Sequence, residues 1–380
     1  MINHYRSMAA DAPRIEAFRR AIHAVVKPGD VVADIGSGLG TYAIFACRAG
    51  ARKVYAIERE DIVLTARQIA RDNGCADRIV FLRGDALAVR LPEKADVLIT
   101  EDFSTTFVER DTQRLIDHAR RRFLKPHGRL IPSSATLHAA PVHCPRLYAR
   151  IDRWAESDQV AYGVDFSATR GLAMSSIHKA ELRPAHLLGV PKRVHRVDLR
   201  RGTPFAFEAG ARFRARKGAP VHGVAVWFEL ALAPRLRLTN APGAPATLWG
   251  QGFLPLAQPV RAKKGAAITV DLAARLGRDS GRVWWQWEVM AAGARVDGTT
   301  FRSFPTSLAD LEAGARGHRP GLSEDGEIAE CILRMLKAGC KITQVARRLR
   351  RRFPGRFRRL GDALARAGEA ARRFGRKPSV

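Results

Sequence analysis

A short apolar run that stops at three closely spaced glycines constrains this chain most. Asp30-Val-Val-Ala-Asp34-Ile35 ends at Gly36-Ser-Gly38-Leu-Gly40, and residues 41–49 then read as a helix. A strand that passes directly into a helix must turn sharply, and glycines let it do so while the backbone approaches a ligand closely. The spacing narrows the ligand. A dinucleotide fingerprint is G-x-G-x-x-G and serves a pyrophosphate. Here it is G-x-G-x-G behind Asp34, and no Gly-Lys-Ser/Thr for a nucleoside triphosphate follows.

Alternation continues through the first third. Lys53-Val-Tyr-Ala-Ile57, Ile79-Val-Phe-Leu82, Ala95-Asp-Val-Leu-Ile-Thr100 and Arg129-Leu-Ile131 read as strands, with helices over 61–72 and about 110–122. Such a series predicts an open, mostly parallel sheet with helices on both faces. From about 134 to 305 the period becomes two, as in Ala135–Ala140, Val221–Ala231, Ala267–Asp271 and Arg282–Val289. That pattern predicts antiparallel β structure, a barrel or a sandwich. The last part is helical. Ile328, Cys331, Ile332, Met335 and Leu336 share one helix face, Gly339 ends that helix, and further helices follow over 342–349 and 358–374.

Charge separates the last part from the rest. The chain of 380 residues has 65 Lys and Arg against 37 Asp and Glu, a net +28. From Lys341 onward, fourteen basic side chains face only Asp362 and Glu369. A field of that sign draws anionic partners, nucleic acid or acidic peptides among them; a bias towards Ala and Arg across the chain would also raise the count. Gly314, Gly317, Pro320 and Gly321 make a linker where the composition breaks. A domain of 1–133, a second of 134–310 and a module of 322–380 are therefore expected. The apolar share of 46% excludes a disordered or collagen-like chain. No apolar run of about twenty residues spans a membrane, and the start has no signal-peptide core. Five cysteines without a C-x-x-C pair suggest reduced thiols in the cytoplasm and no metal.

Eighteen residues after Gly40 the second strand ends in Glu58, where a carboxylate can accept from both hydroxyls of a ribose. Gly84-Asp85-Ala86 follows the third strand, where a base edge would be met. Asp34, the glycine turn, Glu58 and Asp85 together resemble a class I S-adenosylmethionine-dependent methyltransferase.

Beyond that fold, the sequence from Tyr5 to about residue 300 resembles the protein arginine methyltransferases. Val31–Glu58, Asp96–Glu101 with His118–Pro132, Val221-His222, and Thr247-Leu-Trp249-Gly-Gln251 carry the resemblance. It implies an α/β, Rossmann-like class I methyltransferase sheet followed by an antiparallel β-barrel domain, with the small helical C-terminal module outside it. It implies S-adenosylmethionine as cofactor, held by Tyr5, Met8, Arg14, Asp34, Gly36, Gly38, Gly40, Glu58, Asp85 and Ala86. It implies a protein or peptide acceptor, with room for a homodimer. Arg14 matches the arginine that pairs with the cofactor carboxylate, a task suited to a guanidinium fork. Glu101 matches the first of two glutamates that hold an arginine and aim one nitrogen at the methyl group.

The departures bear on the acceptor. Without gaps the second glutamate falls on Arg110; a loop one residue shorter gives Glu109 instead. Asp102 stands where the family has Trp, Tyr5 where it has His, and Leu248 where it has the His of a Thr-His-Trp loop. The family's aromatic N-terminal helix precedes the matched segment. Expected catalytic residues are thus Glu101 and Glu109. A small-molecule or RNA acceptor is the alternative, as is a nucleic-acid-binding regulator on a vestigial transferase core. Residues 322–375 look weakly similar to small winged-helix or peptide-recognition modules and are expected to hold substrate or nucleic acid.

Overall fold

The computed structural model describes residues 2–153, 164–276, 283–303, 319 and 321–375. It forms two compact units, 1–305 and 306–380.

The first unit opens with helices α1 (Ile2–Ala9) and α2 (Ala12–Val25). Asp11 caps α2, its carboxylate accepting from Arg14 N at 3.3 Å, with Pro13 in the first turn. Both suit a helix start, where N–H groups lack partners and proline loses nothing. Five parallel strands follow: β1 (Val31–Ile35), β2 (Lys53–Glu58), β3 (Ile79–Arg83), β4 (Ala95–Thr100) and β5 (Leu124–Ile131). Their order is β3-β2-β1-β4-β5. Helices α3 (Thr41–Arg48), α4 (Val63–Asp72) and α5 (Arg110–Arg122) connect them. β1 sits at the centre with all five residues buried. This explains its uninterrupted apolar run, since both faces are covered. The order reverses beside β1, and in such sheets the crevice at the carboxyl ends of the strands takes ligands.

β5 is longer than its sequence suggests, because Pro126 and Gly128 mask it. It is an edge strand, where a proline needs no ladder partner.

Antiparallel structure begins at β6 (Ser134–Val142). After α6 (Pro145–Asp152) and α7 (Arg170–Met174) come β7 (His178–Ala180), β8 (Lys192–Asp198), β9 (Phe207–Arg214), β10 (Ala219–Ala233), β11 (Leu236–Thr239), β12 (Gln251–Ala262), β13 (Ala267–Leu276), β14 (Val283–Ala291) and β15 (Ala294–Thr299). One sheet runs β7-β12-β10-β6-β8, with β11 beside β10; the other runs β15-β14-β13-β9. β15 lies along β12 and β8 along β9, so the sheets close on one another as barrel walls. The buried Trp287 of β14 ties them, donating from Nε1 to Pro255 O on β12 at 2.8 Å. β12 hides in the sequence because it contains two prolines; an irregularity in its pairing with β10 between Val221 and Gly223 absorbs residues 256–259.

The second unit has three described helices, Glu324–Lys337, Ile342–Arg352 and Leu360–Phe374. Ser323 caps the first, and Gly339, at φ +72°, turns the chain out of it. Ile328, Cys331, Ile332, Val345, Leu349, Phe353, Phe357 and four alanines form a core of their own. The expected linker residues Gly314, Gly317 and Pro320 lie outside the described residues. No described helix is long and apolar enough to cross a membrane.

Candidate active site

A cleft of about 320 Å³ opens at the carboxyl ends of β1, β2 and β4, a volume ordinary for a small-molecule site. Its floor is the glycine turn. Gly36 and Gly38 have φ of +70° and +51°, a left-handed conformation that costs glycine nothing. Gly38 also passes close beneath Tyr5, whose ring would lie 3.2 Å from a Cβ added there. Gly40 has a different task. At φ +80° it starts α3, and an added Cβ would meet the ring of Phe81 at 3.2 Å. It packs the helix onto the sheet and is not on the cleft wall.

Glu58 ends β2 on one side of the cleft. Its Oε2 accepts from Gly38 N and its Oε1 from Glu60 N, both at 2.9 Å. The glycine turn and the acid therefore hold each other in place. Asp85 and Ala86 line the same wall, with Asp85 Oδ1 accepting from Leu87 N at 2.9 Å. Tyr5 and Met8 come from α1 on the other side. Asp34 is two residues before Gly36, off the wall and fully buried. Neither of its oxygens is in a well-formed hydrogen bond among the described residues. Burial pushes its carboxyl up from 3.8 to about 7.

The acid end of the cleft is built around Arg14. Its guanidinium is buried, donating from Nη1 to Glu101 Oε2 at 2.5 Å and from Nη2 to Met8 O at 2.6 Å. Its Nε lies 3.4 Å from Asp11 Oδ2 but makes no hydrogen bond. Asp11 also accepts from Leu248 N at 2.8 Å, joining the start of α2 to the loop before β12. The guanidinium carbon stands 5.9 Å from the ring of Trp249 in that loop. Glu101 leaves the end of β4 with its side chain 9% exposed. Burial raises its carboxyl from 4.5 to about 7 against the opposing pull of Arg14. The pairing of Arg14 with Glu101 is not visible in the sequence, which suggested separate partners for the two.

Glu109 is not brought to Glu101. It is the exposed residue before α5, off the cleft wall, and its Oε2 lies 3.4 Å from the hydroxyl of Thr112 on its own helix. The residue after it starts α5, and the helix turns Glu109 towards its first turn. The side chain of Arg110 lies outside the described residues. Several wall residues were not assigned to the site from the sequence, Tyr42 among them. Tyr42 stacks on Phe18 at 4.8 Å with its hydroxyl unpartnered, and burial holds that hydroxyl well above its usual range. Asp102, noted in the sequence only as a departure from the family's Trp, lines the cleft beside Glu101; a second acid directly after Glu101, two positions beyond the end of β4, was its available signal.

The donor set fits S-adenosylmethionine. Unpartnered buried oxygens on Ser37 and Tyr42 in the wall, the glycine cradle, and carboxylates on every side suit an adenosine joined to a cationic centre. Arg14 suits a carboxylate.

Comparison with known proteins agrees in both parts of the first unit. The family "Methyltransferase domain" matches residues 32–128, and "Arginine methyltransferase oligomerization subdomain" matches 133–284. The chain is 32% identical over 236 residues to "Probable protein arginine N-methyltransferase 6" of Arabidopsis thaliana, covering 60% of this chain and 53% of that one. It is 28% identical over 284 residues to "Protein arginine N-methyltransferase 6" of Xenopus tropicalis, covering 71% and 83%. It spans about half the length of the plant relatives it matches. A chain of the "Trypanosoma brucei PRMT1 enzyme-prozyme heterotetrameric complex with AdoHcy" superposes with a TM-score of 0.72 at 23% identity, covering 79% of this chain and 98% of that one. The fold is therefore shared.

Proposed function

We propose that this chain, protein arginine methyltransferase-like in both its sheet and its barrel, transfers methyl groups from S-adenosylmethionine to arginine side chains of proteins. One observation carries the acceptor. The cleft already holds a guanidinium against a carboxylate, Arg14 on Glu101, inside a wall rich in acids. A second guanidinium, that of an acceptor, meets the same chemistry there.

Gly36 and Gly38 would lie against the cofactor with Glu58 taking its ribose hydroxyls and Arg14 its carboxylate. When bound, S-adenosylmethionine supplies an electrophilic methyl on a cationic sulfur. Glu101 would orient an acceptor guanidinium nitrogen towards that methyl, and the gain is position plus a fixed field. A guanidinium stays protonated at any working pH. It must therefore shed one proton as its nitrogen is methylated. A carboxyl poised near 7 can take that proton at neutral pH.

The barrel region matches an oligomerization subdomain, which supports assembly of two or more copies. The arginines of the second unit would add affinity for acidic stretches beside the target or for nucleic acid. Incubation with methyl-labelled S-adenosylmethionine and an arginine-containing protein extract, followed by acid hydrolysis, tests the activity. Labelled methylarginine is the expected product. Label only in another residue or in a small molecule would refute the arginine reading.

A further inference from the structure

Glu109 is turned to its own helix, so an acceptor guanidinium facing Glu101 lacks the second acid expected from the sequence. Four hydrogen bonds around residues 101–103 put another acid within reach. Phe103 N donates to Glu101 O at 3.1 Å, an i to i+2 bond that folds the backbone into a tight turn with Asp102 at its apex. The flanks of the turn are anchored inside. Glu101 is held by Arg14, and Phe103 is buried with its carbonyl accepting from Trp249 Nε1 at 3.1 Å. The apex is fixed as well, because Asp102 O accepts from the hydroxyl of Thr112 on α5 at 3.1 Å.

The Asp102 side chain is the part left outward. It is exposed, lines the cleft, and its Cβ stands 3.9 Å from where a Cβ on Gly36 would be. Among the described residues no side chain pairs with its carboxylate. Glu101, by contrast, already spends one oxygen on Arg14. A cation arriving at this end of the cleft thus meets one partly engaged carboxylate and one available one, on consecutive residues of a pinned turn.

We infer that Asp102, rather than Glu109, is the second carboxylate that holds the cationic acceptor beside Glu101. This rests on the arginine reading above and adds the residue that selects charge. An aspartate on a turn braced at three points loses little freedom on binding, and a charge-assisted bond to guanidinium is among the stronger ones.

The test is calorimetric titration of an arginine-containing peptide, and of its counterpart with neutral citrulline, into the full chain loaded with S-adenosylhomocysteine. Wild type, Asp102→Asn, Asp102→Glu and Glu109→Gln are compared. Asp102→Asn should weaken the arginine peptide by roughly ten- to a hundredfold and erase the preference over citrulline. Asp102→Glu should recover part of that loss. Glu109→Gln should change peptide affinity by less than about threefold, and every variant is titrated at saturating S-adenosylhomocysteine, its own cofactor Kd measured first, so that the peptide comparison is made on fully loaded protein. Unchanged peptide binding by Asp102→Asn, or a large loss in Glu109→Gln, would overturn the inference while leaving the arginine reading intact. A wild-type protein that binds S-adenosylhomocysteine but shows no preference for arginine over citrulline would overturn both.

Discussion

Replacing Asp34 by Asn should change how the stability of the first unit depends on pH. Asp34 is fully buried with neither oxygen in a well-formed hydrogen bond, and desolvation pushes its carboxyl from 3.8 to about 7; the backbone N–H of Ala43 pulls against that rise, and the nearby charges of Glu58 and Glu101 reinforce it. A folded value above the unfolded one means that the native state holds the proton more tightly. Its contribution to stability is full below the ordinary carboxylate value and is lost as pH rises to about 7. A shift of about three units corresponds to about 4 kcal/mol. Asn has nearly the same shape and no proton to lose. The advantage of Asp34→Asn over wild type should therefore grow by about 4 kcal/mol between pH 4 and pH 8, then level off. Glu101 titrates in a similar window but is present in both proteins, so most of its effect cancels. Urea unfolding read by tryptophan fluorescence isolates the relevant unit, because all six tryptophans precede residue 306. A stability difference that stays flat from pH 4 to pH 8 would refute the account of Asp34 as a buried acid without a well-formed hydrogen bond.

Glu58→Ala removes the proposed ribose acceptor and one anchor of the glycine turn; S-adenosylmethionine affinity should fall roughly ten- to a hundredfold, and an unchanged calorimetric Kd in a folded variant would remove Glu58 from the site. Because the cofactor is cationic at sulfur and nitrogen, its affinity should rise roughly threefold to tenfold between pH 6 and pH 8 as Asp34 and Glu101 ionise; a falling profile would contradict this. Removing residues 306–380 should leave cofactor affinity unchanged, since the two units have separate cores. It should weaken acceptor binding most at low salt, where screening is least, and loss of cofactor binding would show that the second unit belongs to the cofactor site.

The sheet was legible because its signals are local. The buried run of β1, the left-handed glycines and the acid ending β2 are each set by neighbours a few residues away, so strand, turn and helix follow from spacing alone. The helices of the second unit are legible for the same reason: the 3.6-residue spacing of Ile328, Cys331 and Ile332 is a sufficient signal. The antiparallel region was legible only in part. β10 and β14 alternate clearly, whereas β12 breaks its own pattern with two prolines that only its partner strand accommodates.

The acid end of the cleft is harder to read in the sequence, because its geometry is decided by residues far apart in the chain. Glu109 looked suitable by count, but a count of residues does not say where α5 begins, and that start turns Glu109 towards Thr112. Arg14 looked free for a ligand, yet it meets Glu101 across 87 positions. The turn that presents Asp102 is pinned by Trp249 across 146 positions, and Trp249 is itself in the loop that Asp11 holds. The same short segment, residues 11–14, thus braces the barrel loop with one acid and occupies the cleft carboxylate with one guanidinium. Substitution at Asp11 would therefore disturb the acceptor end of the cleft by two routes, through Arg14 to Glu101 and through Leu248 to Trp249. That coupling is a property of the packed barrel and sheet together, and no window of sequence contains it.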